Sequence, residues 1–414
     1  MVIGSAPRRR LATVILCLAM TLCGACAAQA TSPPRLSVSA AILYAPDTGQ
    51  TLDAVAAGRR LAIASTTKLM TALVVLQHIR RLSTVFTSPD YRAAAADSQI
   101  GLAPGERMSV HDLLIALMLP SADDAAEDLA YNVGHHSVAR FVGMMNAQAR
   151  RLHLRDTHYS TPIGVDTPGN HSSARDLAHL AQYDLTHSPF LARVVALTTA
   201  DLTTGPVRHV VNRNDLVARY RWIDGVKTGH TAAAGYVLVA AGHRDGMRLI
   251  SAVLGTDSEA ARDADTLALL NYGFGAFAPV TPVRRGQLMA RPAIADSSGK
   301  RAVVRAARGF HRIVARSASV QVRVEVPRQL RGPLPGQAVV GAAVVLVGGR
   351  VLARVPLVLA RALPAVSGLT VAVRLITRPV SIVVIGVLTA ALLALAGLAR
   401  RRRREPQRGK LEAA

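Results

Sequence analysis

Tyr236-Val237-Leu238-Val239-Ala240-Ala241 and Arg248-Leu249-Ile250-Ser251-Ala252-Val253-Leu254 are two apolar runs joined by Gly242-His243-Arg244-Asp245-Gly246. Runs of this length, rich in β-branched residues and parted by a glycine-bounded polar turn, read as an antiparallel hairpin. A matching signal stands near the start of the chain. Residues 36–44 read as a strand, Pro46-Asp47-Thr48-Gly49 as a turn, and a short second strand follows. Between the two hairpins the texture is helical. Residues 67–79 are rich in Leu, Val, Ala and Met without a breaker, and 110–118 and 123–131 read as two further helices parted by Pro120. An amphipathic segment at 258–270 follows the second hairpin. Strands at both ends with helices between predict one α+β domain in which the first and last hairpins share a sheet.

Outside that domain the composition changes. Residues 31–279 hold 22 basic and 22 acidic side chains, whereas 280–362 hold 15 basic and 2 acidic ones, so the charge of +23 is concentrated in the second block. Alternation such as Val320-Gln321-Val322-Arg323-Val324-Glu325-Val326, with Gly/Pro-rich breaks after it, predicts a small all-β domain there. At the N-terminus, Arg8-Arg9-Arg10, an apolar stretch at 11–22 and small residues ending in Ala28-Gln29-Ala30 have the three-region layout of a secretory signal peptide. A lipoprotein signal ending at Cys26 is the alternative, which Cys23 fits poorly. All three cysteines lie in this leader, so cleavage after Ala30 leaves a chain without thiol, disulfide or Cys-type metal site. Residues 379–399 carry no charge and are long enough to cross a ~30 Å hydrocarbon layer. Arg400-Arg401-Arg402-Arg403-Arg404 follow at once and should stay cytoplasmic, which places everything between leader and span on the outer face. The other reading of 379–399 is a buried core helix, which rarely stays charge-free for so long. The expected organisation is therefore a signal peptide (1–30), a catalytic domain (31–279), a basic all-β domain (280–362), a linker (363–378), a transmembrane helix (379–399) and a basic tail (400–414). An exported basic module suits an anionic envelope surface, lipid head groups or wall polymer, better than nucleic acid. Solvated arginines in an arginine-rich sequence are the bland alternative.

The chain has 45 arginines and only four lysines, Lys68, Lys227, Lys300 and Lys410. An arginine cannot lose its proton near neutrality, whereas a buried lysine can be shifted down and act as a base. Lys68 lies three residues after Ser65 in Ser65-Thr66-Thr67-Lys68, a spacing that puts both on one helix face, where the amine can take the hydroxyl proton. Taken alone, the tetrapeptide arises often by chance and reads more readily as a helix N-cap beside an exposed lysine. Ser121-Ala122-Asp123 follows Pro120; its hydroxyl could relay a proton to a leaving amine, or simply cap a helix. In Lys227-Thr228-Gly229-His230, on a strand edge, amine and hydroxyl could bind a substrate carboxylate while the glycine lets substrate backbone lie close.

These three elements in this order resemble the penicillin-recognising serine enzymes. The wider sequence is similar to the low-molecular-mass D-alanyl-D-alanine carboxypeptidases. The likeness rests on Ala41-Ile42-Leu43-Tyr44-Ala45-Pro46-Asp47-Thr48-Gly49, Thr161-Pro162-Ile163-Gly164-Val165, Ser173-Ala174-Arg175-Asp176-Leu177-Ala178 and the run from Gly225 to Val253, and covers about 36–278. The resemblance implies a β-lactamase/transpeptidase-like fold, a five-stranded antiparallel sheet flanked by helices. It implies that Ser65 is acylated by the penultimate D-Ala of a peptidoglycan stem peptide or by a β-lactam, with Lys68 as general base and Ser121 passing the proton to departing D-Ala. Lys227 and Thr228 would hold the terminal carboxylate, Gly229 and Asp123 would line the subsite, and the amides of Ser65 and His230 would form an oxyanion hole. Neither a metal nor an organic cofactor is expected.

One position departs from the family, which usually has asparagine where this chain has Asp123. A carboxylate cannot donate, and beside Lys68 it favours the ammonium form. That keeps open a weakly active or non-catalytic penicillin- or muropeptide-binding protein. A β-lactamase needs a deacylating base, and the chain has no glutamate between Glu127 and Glu259 to supply the usual one. The 13 histidines show no helical metal motif.

Overall fold

Alternate residues of the strand Ala40-Ala41-Ile42-Leu43-Tyr44-Ala45 face two different apolar clusters. Ala40, Ile42 and Tyr44 enter one, and Ala41, Leu43 and Ala45 the other. A strand covered on both faces needs no polar alternation, which is why this stretch is apolar throughout. The computed structural model describes residues 32–92, 94, 97–295, 297, 299–365, 373 and 379–403. The expected leader, most of the expected linker and the tail beyond 403 lie outside the described residues.

The chain opens with β1 (Ala40–Ala45) and β2 (Gln50–Val55), and a 3-10 turn at Ala64–Thr67 leads into α1 (Lys68–His78). β3 (Val85–Thr87) and β4 (Arg107–Ser109) precede five helices, α2 (Val110–Met118), α3 (Asp123–Val133), α4 (Val138–Arg151), α5 (Ala174–His187) and α6 (Pro189–Val195). A small β5 (Thr199–Leu202), β6 (Arg208–Val211) pair and α7 (Leu216–Arg219) lead to β7 (Ile223–Thr231), β8 (Gly235–Arg244), β9 (Met247–Thr256) and α8 (Glu259–Ala276). Serines cap three of the helices: Ser109, Ser173 and Ser258 each accept a hydrogen bond from the amide three residues on.

The main sheet has the order β2-β1-β9-β8-β7 and is antiparallel throughout. The first and last hairpins do share it, joined in the register Ala40↔Leu254 to Tyr44↔Ile250. Val237, Val239, Ile250 and Ala252 face the helices α1 to α5, and Leu238, Leu249 and Val253 face α8 through Leu269, Leu270 and Phe274. Burial of both faces fixes the register, because a one-residue slip would exchange the two core sets. β7 forms the sheet edge, so the Lys227-Thr228-Gly229 stretch lies on an edge strand as its sequence suggested.

The described residues cluster into two units, one running to Val280 with Arg312–Ala318, the other comprising Thr281–His311 and the chain from Ser319 on. Residues 312–318 thus group with the first unit although their sequence texture resembles the second. After β10 (Phe277–Val283) come β11 (Leu288–Ala290), β12 (Ala293–Ile294), β13 (Val304–Ala306), β14 (Phe310–Ala315), β15 (Val320–Glu325), β16 (Gln329–Leu330), β17 (Val339–Val347) and β18 (Arg350–Leu359). A five-stranded sheet of order β11-β13-β18-β17-β15 packs a small core of Val304, Val345, Val355 and Leu357. β15 is its edge, and there the alternating Val322 and Val324 stay exposed rather than buried. The final helix, α9 (Pro379–Arg403), contains Ile382–Arg401, a stretch of mean hydropathy 2.7 with none of it buried, long and apolar enough to cross a membrane.

Candidate active site

Ser65 sits in the 3-10 turn and Lys68 at the first position of α1, so the short turn sets their three-residue spacing on one face. Lys68 Nζ lies 2.8 Å from Ser65 Oγ. The amine is wholly buried and also donates to Asp123 Oδ1 at 2.5 Å and to the Ile163 carbonyl at 3.1 Å. Burial lowers its pKa below the usual lysine value, and the Asp123 carboxylate works against that shift. An amine so placed can accept the hydroxyl proton when neutral and hold the resulting alkoxide character close by when charged.

Asp123 opens α3, and both of its oxygens are engaged. Oδ1 takes the Lys68 bond and Oδ2 accepts the Ser98 amide at 3.0 Å, while its own amide donates to the Ser98 carbonyl. The next residue, Asp124, accepts from the amides of Ile100, Gly101 and Leu102, so two consecutive carboxylates pin the 98–102 loop over the helix start. Ser121 is not a helix cap; Ala122 holds that position. Ser121 has a φ of +66°, is nearly fully buried, and its Oγ has no hydrogen-bond partner among the described residues. A strained backbone and an idle buried hydroxyl are both costly, and both are common where a group awaits a substrate.

The wall opposite α3 is β7. Lys227 is fully buried, its Nζ donates to the Thr228 carbonyl at 3.1 Å, and burial, with the Lys68 charge as the next cause, pulls its pKa well below the ordinary range. Thr228 is buried beside it, and His230 is exposed, with its ring stacked on Tyr236 at 4.0 Å. Gly229 explains how close the strand comes. A Cβ there would lie 3.0 Å from the Ser65 amide and the Ala64 Cβ. The floor is Thr161-Pro162-Ile163-Gly164-Val165. Thr71 Oγ1 donates to the Pro162 carbonyl at 2.7 Å, and Gly164, at φ +96°, leaves no room for a side chain, since a Cβ would lie 2.0 Å from the Ala64 carbonyl. Among the described residues no group of three or more His, Cys, Asp or Glu could hold a metal ion.

The structure therefore joins Ser65, Lys68 and Asp123 by hydrogen bonds and lays Gly229 against the Ser65 turn, with Ser121 two residues before Asp123 and Lys227, Thr228 and His230 beside Gly229 on β7. Sequence reading missed the Ile163 carbonyl and the Ser98 amide, because backbone groups leave no signature. It also missed Arg213, whose charge lowers both lysines, and Glu127, one helical turn beyond Asp123, whose pKa is pushed up to about 7 by burial and then by Asp123 and Asp97. The i, i+4 spacing of Asp123 and Glu127 was the one available hint.

With this geometry in place, residues 27–258 match the family described as D-alanyl-D-alanine carboxypeptidase, more than half of the chain. The chain belongs to the D-alanyl-D-alanine carboxypeptidase family. A D-alanyl-D-alanine carboxypeptidase from a Streptomyces species is 36% identical over 286 residues, covering 64% of this chain and 98% of that protein. Escherichia coli DacA, another family carboxypeptidase, is 30% identical over 351 residues, covering 80% and 85%. Among solved structures, penicillin binding protein 5 from Haemophilus influenzae matches with a TM-score of 0.67 at 26% identity, covering 81% of this chain and 99% of that one. A Streptomyces DD-transpeptidase matches at 0.56 and 34% identity, covering 59% and 99%. Family members of this kind work through a serine acyl-enzyme, and the carboxypeptidase fold seen here carries its serine and lysine in hydrogen-bond contact.

Proposed function

We propose that the protein removes the terminal D-alanine from peptidoglycan stem pentapeptides through an acyl-enzyme on Ser65, and that β-lactams acylate the same residue. The observation that carries this is the 2.8 Å contact between Ser65 Oγ and a buried Lys68 amine whose pKa is depressed. Lys68 takes the Ser65 proton as Oγ attacks the penultimate D-Ala carbonyl, and the amides of Ser65 and His230 receive the negative charge on the carbonyl oxygen. The peptide C–N bond breaks as Ser121 Oγ passes a proton to the departing D-alanine nitrogen and takes in turn the one held on Lys68, which leaves Lys68 neutral for the next step. Water then attacks the ester, its proton returns through Lys68, and Ser65 is regenerated with release of the shortened stem. Lys227 and Thr228 bind the carboxylate of the terminal residue, and Gly229 and Asp123 shape the subsite.

In this reading residues 1–30 direct export, residues 379–399 anchor the chain as a single pass in the cytoplasmic membrane, and the catalytic domain works on the outer face. The basic 280–362 module meets anionic envelope surfaces rather than nucleic acid. The test is D-alanine release from a peptide ending in D-Ala-D-Ala by the purified protein beside Ser65→Ala: release by the native protein alone supports the assignment, and release that survives the substitution sinks it. A second reading, a penicillin-binding protein of slow turnover, draws on the contact between Asp123 and Lys68. Stoichiometric penicillin acylation with no D-alanine release would select it, while rapid hydrolysis of the acyl-enzyme would instead mark a β-lactamase.

A further inference from the structure

The second unit holds a cavity of about 900 Å³ that lies wholly within its own residues. Lys300, Arg301, Arg305 and Arg361 surround it, all exposed, and its lining includes Ile294 and the buried Leu363. Arg301 and Arg305 are steadied by backbone carbonyls, of Arg291 at 3.2 Å and Gly286 at 2.8 Å. Lys300 and Arg361 have no side-chain hydrogen bond or ion pair among the described residues, so two cations stand free beside two that are fixed. Lys300 is also one of only four lysines in a chain that otherwise uses arginine.

Four cations around an aliphatic floor recognise a particular chemistry. A phosphodiester satisfies the cations, and the aliphatic lining favours a ligand that continues from the phosphate into hydrocarbon. A polyol-phosphate polymer or inorganic phosphate offers nothing to Ile294 and Leu363. The position along the chain agrees. Ala365, at the cavity edge, and Pro379, the first residue of α9, are 14 positions apart, and so at most about 50 Å even if fully extended. The cavity is thus tethered within reach of the surface that α9 enters.

We propose that this cavity binds the head group and glycerol region of an anionic phospholipid, so that the basic unit docks on the membrane beside its own anchor. The inference rests on the reading of this unit as facing an anionic envelope surface, and it narrows that reading to one site and one ligand class. Lys300 and Arg361 supply the mobile charges, Arg301 and Arg305 the fixed ones.

The experiment uses the full chain in detergent, with phosphatidylglycerol, phosphatidylcholine and sn-glycerol 3-phosphate as probes and native mass spectrometry as readout. The expected result is one phosphatidylglycerol retained per chain, at least tenfold stronger than phosphatidylcholine, and lost in Lys300→Gln/Arg361→Gln. Penicillin acylation of Ser65 should stay at the native rate in that variant, which shows that it is folded. Arg323→Gln/Arg350→Gln, exposed positions outside the cavity lining, should retain the lipid. Equal weakening in both variants would overturn the cavity while leaving a diffusely basic unit standing. No preference for phosphatidylglycerol in the native chain would remove both readings. Glycerol phosphate binding as tightly as the lipid would overturn the membrane assignment in favour of a soluble phosphate ligand.

Discussion

Replacing Asp123 with asparagine is expected to speed acylation of Ser65 at neutral pH. In the native site both carboxylate oxygens accept, one from the Lys68 amine at 2.5 Å and the other from the Ser98 amide at 3.0 Å. Asparagine has only one acceptor atom. If its oxygen stays on the Ser98 amide, its NH2 group faces Lys68 and can donate to the lone pair of a neutral amine. The substitution therefore removes a charge that favours ammonium and adds a donor that favours the free base. An opposite charge in contact moves a pKa by about 1 to 3 units, and each unit is a factor of ten in free amine on the acid limb. Part of this returns because a less basic amine is a poorer proton acceptor, which leaves a rise of about tenfold at pH 7. The assay is the second-order rate constant for acylation by a fluorescent penicillin, measured from about pH 5.5 to 10, where the acid limb reports the base in the free enzyme. The limb should move down by about one pH unit and the two profiles should converge at high pH. Glu127 gives a second readout, because losing the Asp123 charge removes one of the causes that hold it near 7. A variant profile that overlies the native one would refute the reasoning and release Asp123 from any role in setting the base.

Ser121→Ala should leave stability unchanged or slightly improved, because the deleted hydroxyl is buried without a partner among the described residues, yet D-alanine release should fall by about 10²-fold or more as the proton relay is lost; thermal melting and a coupled D-alanine assay separate the two. Gly229→Ala places a methyl 3.0 Å from the Ser65 amide, and the strand must retreat, so kcat/KM for peptide should drop by about tenfold or more at a stability cost below about 3 kcal/mol. Asp184 is fully buried, and neither of its carboxylate oxygens has a partner among the described residues. Burial raises its pKa well above the ordinary carboxylate value. The folded state therefore holds a proton that the unfolded chain releases, so this contribution is fully present below about pH 4 and is lost as pH rises through the folded pKa. Asp184→Asn should consequently raise Tm more at pH 8 than at pH 4.5 without changing acylation; an equal change at both would show that folding binds no proton at Asp184 and sink the argument.

The sequence by itself settled what depends on local pattern. Apolar runs and glycine-bounded turns marked the hairpins, and breaker-free apolar stretches marked the first helices. The scarcity of lysine drew attention to Lys68, whose chemistry needs a group that can lose a proton, and to Lys227 in the second lysine-bearing motif. The Ser65 to Lys68 spacing follows from one helical turn, so it was legible too. What the sequence left open were the jobs of side chains whose meaning lies in distant neighbours. Ser121 read equally well as a cap until the fold gave that place to Ala122 and left its hydroxyl idle. Gly229 read as a place for substrate backbone, but a Cβ there would lie 3.0 Å from the Ser65 amide, so the strand already lies against the Ser65 turn. Asp123 could be seen as a departure, but only the fold showed that its second oxygen is committed to the Ser98 amide. Arg213 was invisible, since its charge reaches both lysines only through the fold, and Glu127 offered no more than its i, i+4 spacing to Asp123, because burial and the Asp123 and Asp97 charges that push its pKa up to about 7 come with folding. Local pattern is set by the dihedral and burial preferences of adjacent residues, whereas the protonation of a buried amine is set by every charge and dipole that folding places around it.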